Sequence, residues 1–466
     1  MRQAQQRQDL VVQEFQGVAL GDPRRERRVK SVASRLAFRP EASLPVAMGG
    51  EAPLEGTYRL LSNELVSIDQ LVEPHVRQTA QRVRSAGQAY AIHDTTGFSF
   101  GGEMRRSGLG SVNSATDQGF RAHVTLAVSS DGRREPLGLL AIGTRVRPKK
   151  KQSGHSEVER WSRGLNIAEA KVGGGQLIHL ADRESDVYEL IAEAHQRGWR
   201  FIFRAAYDRA LLTEMGGDVA HLHTAARSKT PEFRVTVSLG PRGNKKRPGK
   251  QRVAFPPRAG RTAELCFSAV SVKLKRSSML TADKGPAGVP VNVVRVWEPR
   301  PPKGAEAVEW LLLTSEPVAT EDDIKAVVEG YRTRWVIEEY FCAVKTGCGF
   351  ERRQLESAHA LFNMLAFCLV VAYVLLLMRT LAREDTRKPA ADVLTQEQLA
   401  CLRLLSPKGL AKAPTVREAL LRIAALGGHL KNNGEPGWRT ISRGWTELLR
   451  AENIYLLIQS GTSDQS

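Results

Sequence analysis

The stretch "YRTRWVIEEYFCAVKTG", Tyr331 to Gly347, reads as one helix that sets charges among apolar neighbours. At about 100° per residue, Tyr331, Arg334, Glu338 and Lys345 fall within a stripe roughly 60° wide, so all four face one place. Ile324 and Val327 lie on the same stripe upstream, Trp335 sits just beside it, and Val336, Ile337, Ala343 and Val344 cover other sides. Such a helix offers little surface to water. The spacing alone fits a solvated face laced with ion pairs, whereas charges among these neighbours call for partners or a chemical task.

The composition narrows the task. At 466 residues the chain is long enough for about two to four domains, and 42% hydrophobic with 25% charged residues describes a soluble globular protein. Lys and Arg outnumber Asp and Glu by 68 to 50, giving a net charge of +18 and a pI near 9.9, which favours a polyanionic partner, nucleic acid or an acidic membrane. Five cysteines without CxxC spacing indicate neither a disulfide framework nor a zinc site, and a reducing cytoplasm is the expected compartment. The amino terminus, "MRQAQQRQDLVVQEF", lacks the apolar run of a secretory signal. "MLAFCLVVAYVLLLM", Met364 to Met378, has the hydropathy of a membrane span, but it is short and solitary and reads as a buried core helix.

Along the chain, residues 1–75 read as a basic helical domain. There "LGDPRRERRVKSVASRLA" sets Arg24, Arg25, Arg27 and Arg28 behind a cap at Asp22, with Pro23 at the first helical position. This basic face suits phosphate contacts or, equally, plain solvation. From Gln88 the period becomes that of strands, with "QAYAIHDTTGFSF" and then two more strands joined at the turn "SSDGR". A helix from Glu157 to Lys171, the strand "QLIHLA", the turn "DRESD", the helix "VYELIAEAHQRG" and the strand "WRFIFRA" complete an α/β core over residues 76–385. Residues 206–303 shift to strand-like runs with a basic loop, "PRGNKKRPGKQR", and read as a β-rich insertion. Residues 386–466 read as a helical tail, and no internal repeat is present.

Asp94 lies in the first strand and Asp182 where a later strand ends. If that later strand runs parallel beside the first, the two become neighbours at the carboxyl side of a mixed sheet, with Glu338 arriving from the helix. Each aspartate has a plainer role as a turn or helix cap. Jointly, three carboxylates suffice for two divalent cations about 4 Å apart that activate water and stabilise a leaving phosphodiester oxygen. Hard oxygen ligands select Mg2+ or Mn2+.

The spacing Tyr331, Arg334, Glu338, Lys345 resembles the YREK signature of bacterial DDE transposases of the insertion-sequence-four family. "ALGDPRR", "EGTYRLL", "DTT" at Asp94, "DRESD" at Asp182, "PPKG" at Pro301, "EWLLLTSEPV" at Glu309, "ALGGHL" and "RGWTEL" extend the resemblance over nearly the whole chain. It implies an RNase H-like catalytic core with a β-strand-rich insertion, flanked by an amino-terminal domain that binds transposon ends and a carboxy-terminal dimerisation region. It further implies that Asp94, Asp182 and Glu338 bind the metals and that Tyr331, Arg334 and Lys345 contact double-stranded DNA. Trp310 holds the position of an aromatic that stacks on a flipped base, though it also suits a core. Cut-and-paste chemistry by a homodimer on paired ends, in a bacterial cytoplasm at the nucleoid, is the implied function.

Three residues before Lys345, where close members of that family have a second lysine, this chain has Cys342. "FRPEASLPVAMGG" also departs from the pattern, so the resemblance does not carry over the recognised end sequence, while the chemistry is untouched. The rival readings are a catalytically inactive DNA-binding regulator, a general nuclease and a membrane protein. "GNKKRPGKQ" misses the P-loop pattern, so no nucleotide cofactor is expected, and His221 and His223, alternating as on a strand, read as structural or surface residues and not as a metal pair.

Overall fold

The computed structural model describes residues 10–463 apart from 103–104, 113–116, 148–156, 213–220, 241–258, 385–386, 388, 407–408 and 431–434. The basic loop "PRGNKKRPGKQR" therefore lies outside the described residues. The chain forms two compact units: Met1–Ser156 with Arg163–Gln176 and Trp335–Ser466, and Glu157–Ser162 with Leu177–Arg334.

After a short helical stretch at 10–13, the first unit has three helices, α1 (Pro23–Phe38), α2 (Leu44–Met48) and α3 (Glu51–Leu61). Asp22 caps α1 by accepting the Arg24 N–H at 2.8 Å, with Pro23 behind it. Val29, Val32, Ala33 and Leu36 make its buried stripe at helical spacing. Helix α4 (Ile68–Ala86), opened by a Ser67–Gln70 capping box, runs through residue 75, where the sequence suggested a domain boundary.

Strands β1 (Ala89–Phe100), β2 (Gln118–Ser129) and β3 (Pro136–Arg145) pair antiparallel in sequence order. Their second turn is the expected one, with Gly132 at positive φ and the Asp131 carboxylate accepting the Arg133 N–H. Helix α5 (Glu157–Val172) follows.

The unit resumes with α9 (Val336–Cys342), a π-turn (Ala343–Gly347) and α10 (Ala358–Glu384). Helix α10 is apolar enough to cross a membrane, yet 78% of its most apolar window is buried against protein; it packs on α4 and β3 as a core helix. The tail consists of α11 (Gln396–Leu404), α12 (Val416–Leu426) and α13 (Trp438–Ser463), packed round Leu402, Ile423 and Leu448.

In the second unit β4 (Leu177–Ala181) runs parallel to β5 (Arg200–Arg204), linked through α6 (Tyr188–Gln196). Next come α7 (Leu222–Arg227), β6 (Phe233–Leu239), β7 (Arg261–Lys275), β8 (Gly288–Trp297), β9 (Glu309–Thr314) and α8 (Glu321–Thr333). β5 pairs antiparallel with β9, and β9, β8, β7 and β6 pair antiparallel in turn, so the insertion extends the β4–β5 sheet.

Two local expectations are corrected. The stretch Tyr331–Gly347 is not one helix. Helix α8 ends at Thr333, whose Oγ1 bonds the Glu329 carbonyl at 3.1 Å, a back-bond that bends helices, and the Arg334 N–H closes on Tyr331 O. Trp335 stands 63% exposed at the break, and beyond α9 the Cys348 N–H reaches Ala343 O, five residues back. A constant 100° per residue therefore does not hold across the four signature residues. The unit boundary falls between Arg334 and Trp335. Second, His221 and His223 are not on a strand: His221 is the N-cap position of α7, and both rings face Asp208.

Candidate active site

In the first unit, Asp94 sits mid-strand on β1, opposite Val124, with one carboxylate oxygen accepting the Thr95 N–H at 2.7 Å. Alternation divides its neighbours. His93 and Thr95 face one side, where His93 Nδ1 lies 3.0 Å from Thr125 Oγ1 and His123 Nδ1 lies 2.9 Å from Thr95 Oγ1. Gly164 of α5 makes room there, since a methyl group would come within 3.0 Å of His123 and 3.1 Å of His93. Asp94 shares the other face with Phe98, and the Lys345 ammonium rests 5.4 Å from the Phe98 ring centroid. Helix α9, carrying Glu338, packs on β1.

Glu338 and Glu339 are adjacent acids with different surroundings. Glu339 pairs with Arg383 at 2.8 Å and Arg379 at 3.8 Å, both on α10, and so is a structural ion pair. Cys342 is exposed one turn after Glu338.

In the second unit, Asp182 follows β4 and caps the turn Arg183–Ser185 by accepting the Glu184 N–H at 2.9 Å. The capping roles of Asp94 and Asp182 each use one direction of a carboxylate that offers about four acceptor sites. Tyr331 is buried on α8, and its ring meets Trp310, the second residue of β9, T-shaped at 5.4 Å. Burial pushes the Tyr331 phenol up, the Arg334 and Arg204 charges pull it down, and Asp182 adds to the upward push.

Arg204, which the sequence reading missed, stands at the centre of this group. Its guanidinium lies 5.8 Å from the Trp310 centroid, bonds Tyr331 and donates to Glu309 O. Burial lowers its pKa from the ordinary arginine value, with Tyr331 opposing and Arg183 and Arg334 reinforcing. An arginine closing the apolar strand "RFIFR" was the available signal, since a cation is costly to bury without a purpose. Asp186 anchors the chain just beyond: its carboxylate accepts Ala206 N–H, Tyr207 N–H and Arg209 Nε at 2.6, 2.9 and 2.7 Å. Guanidinium groups beside two aromatic rings can take a phosphate and stack a base.

Of the amino-terminal arginines, Arg24 and Arg27 are exposed, while Arg25 donates to Leu20 O. Arg28 packs over Gly56 of α3, where a Cβ would lie 2.4 Å from its Cζ.

The carboxylates of Asp94, Asp182 and Glu338 are hard-oxygen donors and in kind fit a hard divalent cation. Among the described residues no three His, Cys, Asp or Glu side chains are gathered as a metal-holding group.

Residues 7–66 match the family model described as "Transposase DNA-binding", and residues 170–375 match that described as "Transposase DDE domain". The DDE match takes in Asp182, Trp310, Tyr331, Arg334, Glu338 and Lys345, and leaves Asp94 outside it. A solved structure titled "Cryo-EM structure of piggyBac transposase synaptic complex with hairpin DNA" is similar at a TM-score of 0.36 and 10% identity, covering 81% of this chain and 73% of that one. The mixed α/β architecture with a DDE domain has an RNase H-like core, as expected. The two matches agree in kind: the chain carries a transposase DNA-binding segment at 7–66 and a transposase DDE domain at 170–375.

Proposed function

We propose that this protein is a cut-and-paste DNA transposase of the insertion-sequence-four family, most like the transposase of transposon five. The observation that carries the reading is the pairing, in one chain, of a transposase DNA-binding segment at 7–66 with a DDE domain containing Asp182 and Glu338. The YREK spacing and the motifs shared along the chain support the finer assignment.

On this reading residues 1–75 bind transposon ends, with the arginines of α1 on the phosphates, residues 76–385 cut and join, and residues 386–466 support a homodimer on paired ends. Asp94, Asp182 and Glu338 would hold Mg2+, which when bound supplies an activated water and stabilisation of the leaving oxygen. Tyr331, Arg334, Arg204 and Lys345 orient the phosphates of the cut end, and Trp310 stacks on a base drawn out of the duplex. Hydrolysis of one strand leaves a 3′-hydroxyl, which attacks the opposite strand to form a hairpin end. A second hydrolysis opens it, and the freed 3′-hydroxyl joins target DNA. The place of action is the bacterial cytoplasm, at the nucleoid.

The test is excision from a supercoiled plasmid carrying the inverted repeats that flank the gene, with magnesium, comparing wild type with Glu338→Ala. Magnesium-dependent release of a linear fragment, lost in the variant, supports the reading. If both chains bind the ends and neither cuts, the protein is an inactive regulatory relative.

A further inference from the structure

Arg353 is a cation only 3% exposed that donates to three backbone carbonyls and also bonds the Cys368 side chain. One terminal nitrogen donates to Pro40 O at 2.5 Å and to Cys348 O at 2.7 Å, and the other donates to Ala42 O. Pro40 and Ala42 lie in the loop between α1 and α2, inside the DNA-binding match. Cys348 directly follows the π-turn that carries Lys345, and its own N–H closes that turn on Ala343 O at 2.8 Å. The same loop offers Glu41, 3.5 Å from both Arg352 and Arg443. From α13, Ser442 donates to the neighbouring carbonyl of Gly347 at 3.0 Å.

The carbonyls of Gly347, which ends the π-turn, and of Cys348, which follows it, are thus tied to different parts of the chain, Gly347 to the tail and Cys348, through Arg353, to the DNA-binding segment. An apolar side chain would fill the same volume without the desolvation of a charge. What only arginine supplies is a rigid fork that reaches carbonyls in two separate segments at once. A π-turn is an irregular single turn of the kind found at functional sites, and this one carries Lys345, whose ammonium lies over Phe98 of β1.

We propose that Arg353 is a positioning residue that relays the docking of a DNA end on α1–α3 to the segment carrying Glu338 and Lys345. The inference rests on the reading that this chain cuts transposon ends. The test compares wild type, Arg353→Lys and Arg353→Met in end-DNA affinity, single-turnover cleavage at saturating end DNA with magnesium, and amide exchange of residues 343–348 with and without end DNA.

The expected result is affinity within about twofold of wild type and cleavage of the bound end slowed about tenfold or more in Arg353→Met, with Arg353→Lys between. End DNA should protect residues 343–348 in wild type and not in the variants, while residues 23–38 stay protected in all three. Cleavage per bound end at the wild-type rate, or falling only as affinity falls, overturns the proposal. So does DNA-induced protection of 343–348 that survives in the variants. Should Arg353→Met not fold, Arg353→Lys, which keeps the charge but lacks the fork, decides alone. If wild type binds ends without cutting them, the transposase reading fails and the exchange arm still judges the relay.

Discussion

Trp310 and Tyr331 meet T-shaped, with ring centroids 5.4 Å apart, and the Arg204 guanidinium lies 5.8 Å from the Trp310 ring. The indole is thus held from two sides while remaining half-buried. If it stacks on an extrahelical base, Trp310→Ala should slow closure of the second strand about five- to a hundredfold, because such a stack contributes roughly 1–3 kcal/mol. Trp310→Phe should recover most of the rate. Nicked ends should accumulate in a time course of Trp310→Ala; equal slowing of nicking and closure would assign the indole to the core instead.

The adjacent acids Glu338 and Glu339 should separate cleanly. Glu338→Gln is expected to abolish cleavage with end binding and thermal midpoint close to wild type. Glu339→Gln breaks the pairs with Arg379 and Arg383 and should cost about 1–2 kcal/mol of stability, because these are partly buried ions left without their partner. Its cleavage per folded molecule should persist. Urea unfolding beside single-turnover cleavage checks both, and the opposite pattern would move the catalytic role to Glu339.

How far the sequence could be read depended on whether a feature was local. The strands β1 to β3 follow from alternation and from a turn whose Asp and Gly have fixed geometric roles, and the cap at Asp22 follows from its proline. The break after Thr333 was not legible: it rests on a side-chain bond to Glu329 O, and Gly330, the glycine nearest to it, lies inside α8. Arg204 was hidden for a different reason, since it gains its meaning from Tyr331 and Trp310, more than a hundred residues away. Likewise the ion-pair role of Glu339 is blank in the sequence, although the signature spacing picks out Glu338 beside it; the partners of Glu339 stand on α10, some forty residues on.

The motifs "ALGGHL" and "RGWTEL" acquire a packing role. Gly427 at the end of α12 and Gly444 in α13 let two backbones touch: a Cβ on Gly444 would lie 1.6 Å from Ile423 O, and one on Gly427 would lie 1.9 Å from Thr440 O. Neither obstacle is a side chain that can turn aside. Gly444→Ala should therefore cost about 3 kcal/mol or more by overpacking, read as a lower urea midpoint. A variant with wild-type stability would show that α12 and α13 can part without penalty.

Glu452 of α13 is buried against the capping box of α11, where Thr395 Oγ1 donates to one oxygen at 3.2 Å and Gln398 Nε2 to the other at 3.0 Å. Burial raises its pKa; the bonds from Gln398 and Thr395 oppose this only in part, and the nearby Glu397 charge adds to the rise. A carboxyl raised on folding contributes stability that is full below its unfolded value, near 4.3, and is lost as pH climbs through the folded pKa. Glu452→Gln removes this titration. The thermal midpoint of the variant relative to wild type should therefore rise with pH, more favourable at pH 8 than at pH 4.5. A difference that is flat, or that shrinks toward pH 8, would mean that Glu452 folds ionised and that its two hydrogen bonds outweigh its burial.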